Sequence, residues 1–227
     1  MSRKSRKSKP INNVNALATR CITAINLQDV DYLRVPEECK TLNEAVDRVH
    51  EDDRLTTIVL GKGDHLVAVS TEENGSKSNT LKIRSAMNIV GDFRDHDVLS
   101  KKDVVVVGGI KFEEGIQGNC HLQHLTLRQA KGSGVKGYSS FTMEDVLVEQ
   151  CKYQGVLANG TGVVGRCSNM DVHQCGWSGV SAYSGASITL IGAKTTVHHN
   201  CTKGDSDEYG LQVYGSSSTI QLVSPLT

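Results

Sequence analysis

Four stretches of the chain repeat one order of residues. They are Leu127-Arg-Gln-Ala-Lys-Gly-Ser-Gly-Val135, Val148-Glu-Gln-Cys-Lys-Tyr-Gln-Gly-Val156, Val172-His-Gln-Cys-Gly-Trp-Ser-Gly-Val180 and, less regularly, Val197-His-His-Asn-Cys201 followed by Tyr209-Gly-Leu211. The closing glycines Gly134, Gly155, Gly179 and Gly210 stand 21, 24 and 31 residues apart, the last interval being lengthened by an insertion around 202–208. A self-similar period of this size marks stacked units, because one unit cannot bury its own apolar face and a stack can. The pairs Leu125/Leu127, Val146/Val148 and Met170/Val172 are apolar at alternate positions, as short strands with one buried face require. Ala130, Cys151 and Cys175, with Asn200 or Cys201 in the fourth unit, place small residues at one corner. The glycine before each valine is expected to take a backbone angle that other residues resist. The expected fold is all-β, a single solenoid of about five to six coils in which each strand pairs with the coils above and below.

The rest of the chain is read around that stack. Three prolines against 22 glycines suit many strands joined by tight turns. With 25 basic and 25 acidic residues the body gives no global reason to expect nucleic acid or an anionic membrane as partner. Residues 1–12, with Arg3, Lys4, Arg6, Lys7 and Lys9, form a basic tail expected to be disordered. It suits a nuclear address, a nucleic-acid arm, a phosphorylation-tuned tail or a solubilising one, and is the only segment where nucleic acid is expected. Residues 13–34 form a lead-in without a clear pattern, and 35–227 form the repeat domain. Thr41-Leu-Asn-Glu44 has capping-box spacing, and Leu42, Ala45, Val46 and Val49 share a face, which predicts a capping helix over 41–50. Strands are predicted at Thr56–Leu60 and Leu81–Val90, with a polar loop at Ser70–Ser78 between them.

Seven cysteines without a Cys-x-x-Cys pair fit neither a metal cluster nor an even disulfide framework. The N-terminal run lacks the apolar core of a signal peptide, and no stretch reaches membrane-spanning length. An intracellular setting, cytoplasm or nucleus, with reduced thiols is therefore expected.

The repeats resemble the right-handed parallel β-helix of the pectin-lyase-like superfamily, whose units are also described as carbohydrate-binding and sugar-hydrolase repeats (PbH1 type). The capped helix Thr41–Val49 followed by Ile58-Val59-Leu60-Gly-Lys-Gly63 resembles the family's entrance, in which a helix plugs the open end of the core. Members include polysaccharide lyases, hydrolases and epimerases, and intracellular proteins that use the coils to bind other proteins. The residue signatures of those enzymes are not found here.

Two sets of residues are candidates for function. Aligning the repeats puts Glu149, His173 and His198 in one outward column beneath Arg128, with Asp171 in the adjacent one. Carboxylates beside imidazoles suit general acid–base chemistry or a divalent ion, while alternating charges on a solvated face give the same pattern. No motif calls for a cofactor or metal. Gly91-Asp-Phe-Arg-Asp-His-Asp97 holds similar residue types, but neighbours on one loop seldom converge. The acidic insertion Lys203–Glu208 reads as an exposed loop.

The second set is aromatic. Tyr153 and Trp177 precede the repeated glycine by two residues, with Tyr209 displaced by one, and Tyr138, Tyr183 and Tyr214 follow the valine by three. Between them Lys136, Leu157, Ser181 and Gln212 are expected to point outward. Such a face can stack on sugars, receive a protein, or simply hold coils together. The expected role is a non-catalytic scaffold that binds protein or glycan there; the alternative is a polysaccharide lyase, hydrolase or epimerase using Glu149, Asp171, His173 and His198. Ile220-Gln-Leu222 in the last coil would be an open edge through which copies could join.

Overall fold

A computed structural model describes residues 31–72, 75–92, 100–204 and 209–223. The basic tail, the lead-in up to residue 30, residues 93–97 of the Gly91–Asp97 loop and Asp205–Glu208 of the insertion lie outside the described residues.

The helix runs Leu42–Glu51, and Thr41 caps it by accepting the Glu44 amide on its hydroxyl at 3.2 Å. The reciprocal half of the box falls one residue earlier than expected. Glu44 Oε2 accepts the amide of Lys40 at 2.9 Å, a donor equally unsatisfied ahead of the first turn. Leu42, Ala45, Val46 and Val49 are buried in the same apolar cluster as the strands. A strand Asp31–Val35, beginning ahead of the boundary expected at residue 35, pairs in parallel with Leu55–Leu60. The single strand expected over Leu81–Val90 is two, Thr80–Ile83 and Asn88–Gly91, which belong to different sheets. Arg84–Met87 carries the chain between them, with Ser85 and Ala86 half-buried at the turn. The polar stretch Ser70–Ser78 ends in a small antiparallel pair, Ser70–Thr71 with Lys77–Ser78.

Two long sheets of parallel strands carry the rest. The six-stranded sheet stacks Thr80–Ile83, Gly109–Phe112, Val135–Gly137, Val156–Asn159, Val180–Tyr183 and Leu211–Tyr214 in chain order. The twelve-stranded sheet is built on Cys120–Arg128 and Phe141–Glu149, which pair with each other along their length. Cys120–Arg128 meets Asn88–Gly91 on one side of His124 and Val104–Val107 on the other. His124, Asp145 and Asn169 all adopt left-handed angles, φ 53, 50 and 52, one in each successive repeat. In the third repeat that residue separates two strands, Val164–Ser168 and Asp171–His173. A second left-handed line runs through Gln129, Gln150, Gln174 and His199.

These lines correct the expectation for the repeated glycines. The left-handed angle falls on polar non-glycine residues, while Gly134, Gly155 and Gly179 are not left-handed. What they supply is space. A Cβ on Gly155 would stand 2.4 Å from Val172 Cγ1 and 2.6 Å from the Gly179 carbonyl oxygen, and Gly134 and Gly179 are hemmed in the same way.

The inward column Ile110, Val135, Val156 and Val180 is buried, as are the corner residues Ala130, Cys151 and Cys175. In the fourth unit Asn200, not Cys201, completes the corner: its Oδ1 accepts the Cys175 amide at 3.0 Å and its Nδ2 donates to Val172 O at 2.9 Å. Burial pushes the Cys120 thiol up to about 11 and the Cys167 thiol up to about 12, so both behave as small neutral core groups. Cys39, Cys120, Cys151, Cys167 and Cys175 are buried free thiols.

The two ends of the stack differ. Leu42–Glu51 covers the first strands, whereas the last repeat has no such cover among the described residues. Val180 is 0% exposed but its partner Leu211 is 38% exposed, and Leu190 at 2% is followed by Leu222 at 53%. No helix among the described residues is long and apolar enough to cross a membrane.

Candidate functional site

The register places Arg128, Glu149, His173 and His198 in one column of the twelve-stranded sheet, with Asp171 two residues from His173. Arg128 turns to Asp64, donating at 2.8 Å. His173 Nε2 lies 3.6 Å from Glu149 Oε2, and His198 Nε2 lies 3.2 Å from Asp171 Oδ1. The two imidazoles stack with centroids 5.1 Å apart, and His198 Nδ1 is 2.7 Å from His199 Nδ1. Asp171 also accepts the Thr196 hydroxyl at 2.8 Å. Glu149, Asp171, His173 and His198 are thus brought together as two carboxylate–imidazole pairs, each able to hold or pass a proton. Each carboxylate here already faces a basic side chain. Among the described residues no group of three His, Cys, Asp or Glu side chains is placed to hold a metal ion. Of the loop Gly91–Asp97, Asp92 is described, and it pairs with Arg34 at 2.9 Å.

The aromatic residues fall into separate groups. Tyr153 and Trp177 pack with centroids 4.3 Å apart, and Lys203 Nζ lies 4.8 Å and 5.6 Å from their ring centres. Tyr183 and Tyr214 meet edge-on at 5.7 Å. The Tyr183 hydroxyl donates to Gln212 Oε1, which also accepts from Ser178 and Ser181 at 3.1 and 3.5 Å. Tyr209 is exposed, and Tyr138 sits between Lys111 and Lys136, whose ammoniums lie 5.2 and 5.0 Å from its ring centre. Leu157 and Ser181 occupy the outward register between valine and alanine, yet both are buried. At Ser181 the reason is visible: the amide of Gln212 folds back over it. The upper half of this face is therefore covered by its own side chains.

The lower half is open. A groove of about 310 Å³ runs across the outer face of the six-stranded sheet, with Lys82, Lys111 and Lys136 on its floor from three successive strands. Lys77, from the small antiparallel pair, and Lys131 and Lys152, from the turns, line it as well, and Tyr153 forms part of its wall. Among the described residues Glu72 is the one carboxylate in the lining. Of the sequence candidates, Tyr153 lines this groove, Tyr138 lies against two of its lysines, and Trp177 packs on Tyr153 behind it. Tyr183, Tyr209 and Tyr214 belong to the far end of the sheet.

Sequence reasoning missed the lysine floor. Its signal was the triplet of an inward residue, lysine and a second inward residue, in Leu81-Lys-Ile83, Ile110-Lys-Phe112 and Val135-Lys-Gly137. The first two lie before the region where the repeat is clear, so the three lysines do not align until the strands are paired. Comparison of the chain with protein-family models, with curated proteins and with solved structures found no match in any of the three.

Proposed function

We propose that the chain is a right-handed parallel β-helix of the pectin-lyase-like kind and acts as a non-catalytic scaffold that binds a glycan on the outer face of its six-stranded sheet. The solenoid is supported by parallel pairing between residues one repeat apart, as in Val135 with Val156 and Val156 with Val180. Right-handedness is supported by the strong preference of parallel crossovers for that hand. Buried free thiols such as Cys120, Cys151, Cys167 and Cys175 support a reducing, intracellular setting. The observation that carries the binding role is Tyr153 in the groove wall, with Trp177 packed on it from behind. Rigid aromatic faces stack on sugar rings at little entropic cost, and a neighbouring concavity gives a ring somewhere to sit.

Titration with a panel of neutral and charged oligosaccharides tests this reading. Trp177→Ala with Tyr153→Ala should weaken binding about tenfold or more, since each aromatic contact contributes about 1 kcal/mol. Unchanged affinity in a folded double variant would remove the aromatic pair from the site.

The enzymatic alternative draws on one specific observation, the two carboxylate–imidazole pairs of the histidine column. It requires that Glu149→Gln and His173→Gln each abolish turnover of a polysaccharide that the unaltered chain degrades.

A further inference from the structure

We infer that the lysine groove is a site for tetrahedral oxyanions, the sulfate or phosphate esters of the glycan proposed above. The inference rests on that glycan reading and names the chemistry of its ligand.

Lys82, Lys111 and Lys136 are direct partners in successive parallel strands, so their backbones lie about 4.7–4.9 Å apart. Like charges at that spacing repel, and a sheet face tolerates them when a counter-charge lies between. Lys111 has one, Glu113 at 2.8 Å. Among the described residues, Lys77, Lys82, Lys131, Lys136 and Lys152 pair with no carboxylate. Six ammoniums therefore share a concave wall with Glu72, and a concavity of one sign concentrates its field on whatever enters. Two of the lysines also pack against Tyr138, their ammoniums 5.2 and 5.0 Å from its ring centre.

The kind of cation narrows the kind of anion. Among the described residues no arginine lines the groove. Guanidinium forks impose a fixed two-bond geometry on carboxylate and phosphate alike, whereas ammoniums act as point charges with three rotatable donors that can follow oxygens turned in different directions. Ammoniums converging from three strands and two turns suit an ester with three terminal oxygens turned in different directions.

The carrier follows from spacing and size. An extended acidic peptide presents same-side carboxylates about 6.6–6.8 Å apart, out of step with a floor repeating at about 4.7–4.9 Å. The volume is at the small end of ligand sites and suits a sugar-sized group better than a nucleic-acid strand. Tyr153 on the wall, with the Lys152 ammonium 5.1 Å from its ring centre, gives such a sugar an aromatic contact beside a cation.

The test is calorimetric titration of the full chain with oligomeric dextran sulfate, a phosphomannan, oligogalacturonate and neutral dextran. Poly-glutamate and oligo-dT serve as non-glycan polyanions. Dextran sulfate or phosphomannan should bind about tenfold or more tighter than oligogalacturonate, and the tighter of the two identifies the ester. Lys111→Gln with Lys136→Gln should weaken that binding about a hundredfold, as expected for two lost charge-assisted contacts. The urea midpoint should change little, the relief of lysine repulsion offsetting the lost Lys111–Glu113 pair and Tyr138 contacts, and the exposed single variant Lys82→Gln, expected to lose about tenfold, guards against a misfolded double variant. Equal affinity for oligogalacturonate overturns the preference for tetrahedral anions, and equal affinity for poly-glutamate or oligo-dT overturns the glycan. Neutral dextran binding that is lost in Trp177→Ala but kept in the lysine variants overturns this inference and leaves the glycan reading standing. No binding to any glycan overturns both.

Discussion

In the twelve-stranded sheet Arg128, Glu149, His173 and His198 follow one another up the stack; in the six-stranded sheet Lys82, Lys111 and Lys136 do the same. Both columns step at the parallel-strand spacing, so the backbone treats them alike. Their side chains do not. The first column closes on itself, with Arg128 on Asp64, His173 on Glu149 and His198 on Asp171. The second has Glu113 for Lys111 and, among the described residues, no carboxylate for Lys82 or Lys136. A stacked architecture forces neighbours in a column to settle their charges locally or leave them to a partner. Residue types alone would favour the histidine column as the functional one; the pairing favours the lysines.

Substitutions can break or sharpen this contrast. The largest effect is expected from Gly155→Leu, which disturbs the stack on which both columns depend. Its side chain would meet Val172 Cγ1 and the Gly179 carbonyl, and a loss of about 3 kcal/mol or more should appear in the urea midpoint. Glu149→Lys removes the anion between Arg128 and His173, and placing like charges side by side should cost about 1 kcal/mol in the same measurement. Lys136→Glu should act in the opposite direction. An anion beside Lys111 should raise stability by about 0.5 kcal/mol while weakening any anionic ligand of the groove. A matching loss of stability would contradict the view that this column is strained by its own charge.

The smallest effect is a pH dependence. Burial lowers the pKa of His121, and of the partly buried His50, below the ordinary 6.5. The unfolded chain takes up those protons near 6.5 while the folded chain resists them. The stability they contribute is therefore complete above 6.5 and is lost as pH falls below it toward the folded values. Burial raises Glu144 from its ordinary 4.5, and the stability it contributes, present below 4.5, is lost as pH rises through its folded value. Urea midpoints between about pH 8 and about pH 6 should fall with pH, and His121→Asn should flatten the trend; the lysines stay charged throughout that window.

Much of the scaffold was legible in the sequence because it depends on residues with few substitutes. Gly134, Gly155 and Gly179 leave room for one valine and one carbonyl, and the Thr41 cap and the apolar face of Leu42, Ala45, Val46 and Val49 mark the helix. The columns of the histidine face were legible for the same reason, since the repeats fix their register. The corners were not. Gln129, Gln150 and Gln174 hold left-handed angles that their identity does not announce, at a cost of about 1 kcal/mol each that the stack must offset. Nor did alternation reveal that outward Ser181 is buried beneath Gln212, a contact between strands 31 residues apart. The lysine floor lay partly ahead of the recognisable repeat, where the strands from Thr80 and Gly109 can be aligned only through their partners.

The helix-covered first strands and the more exposed last repeat among the described residues give the molecule a direction of failure. In a stack each layer is held mainly by its neighbours, so the layer that buries less of its apolar surface opens more readily. Amide exchange should be fastest in Leu211–Tyr214, slower in Val180–Tyr183 and slowest toward Val135–Gly137. Pulled or heated, the chain should fray like a rope whipped at one end only, with the lysine groove among the last parts to come apart.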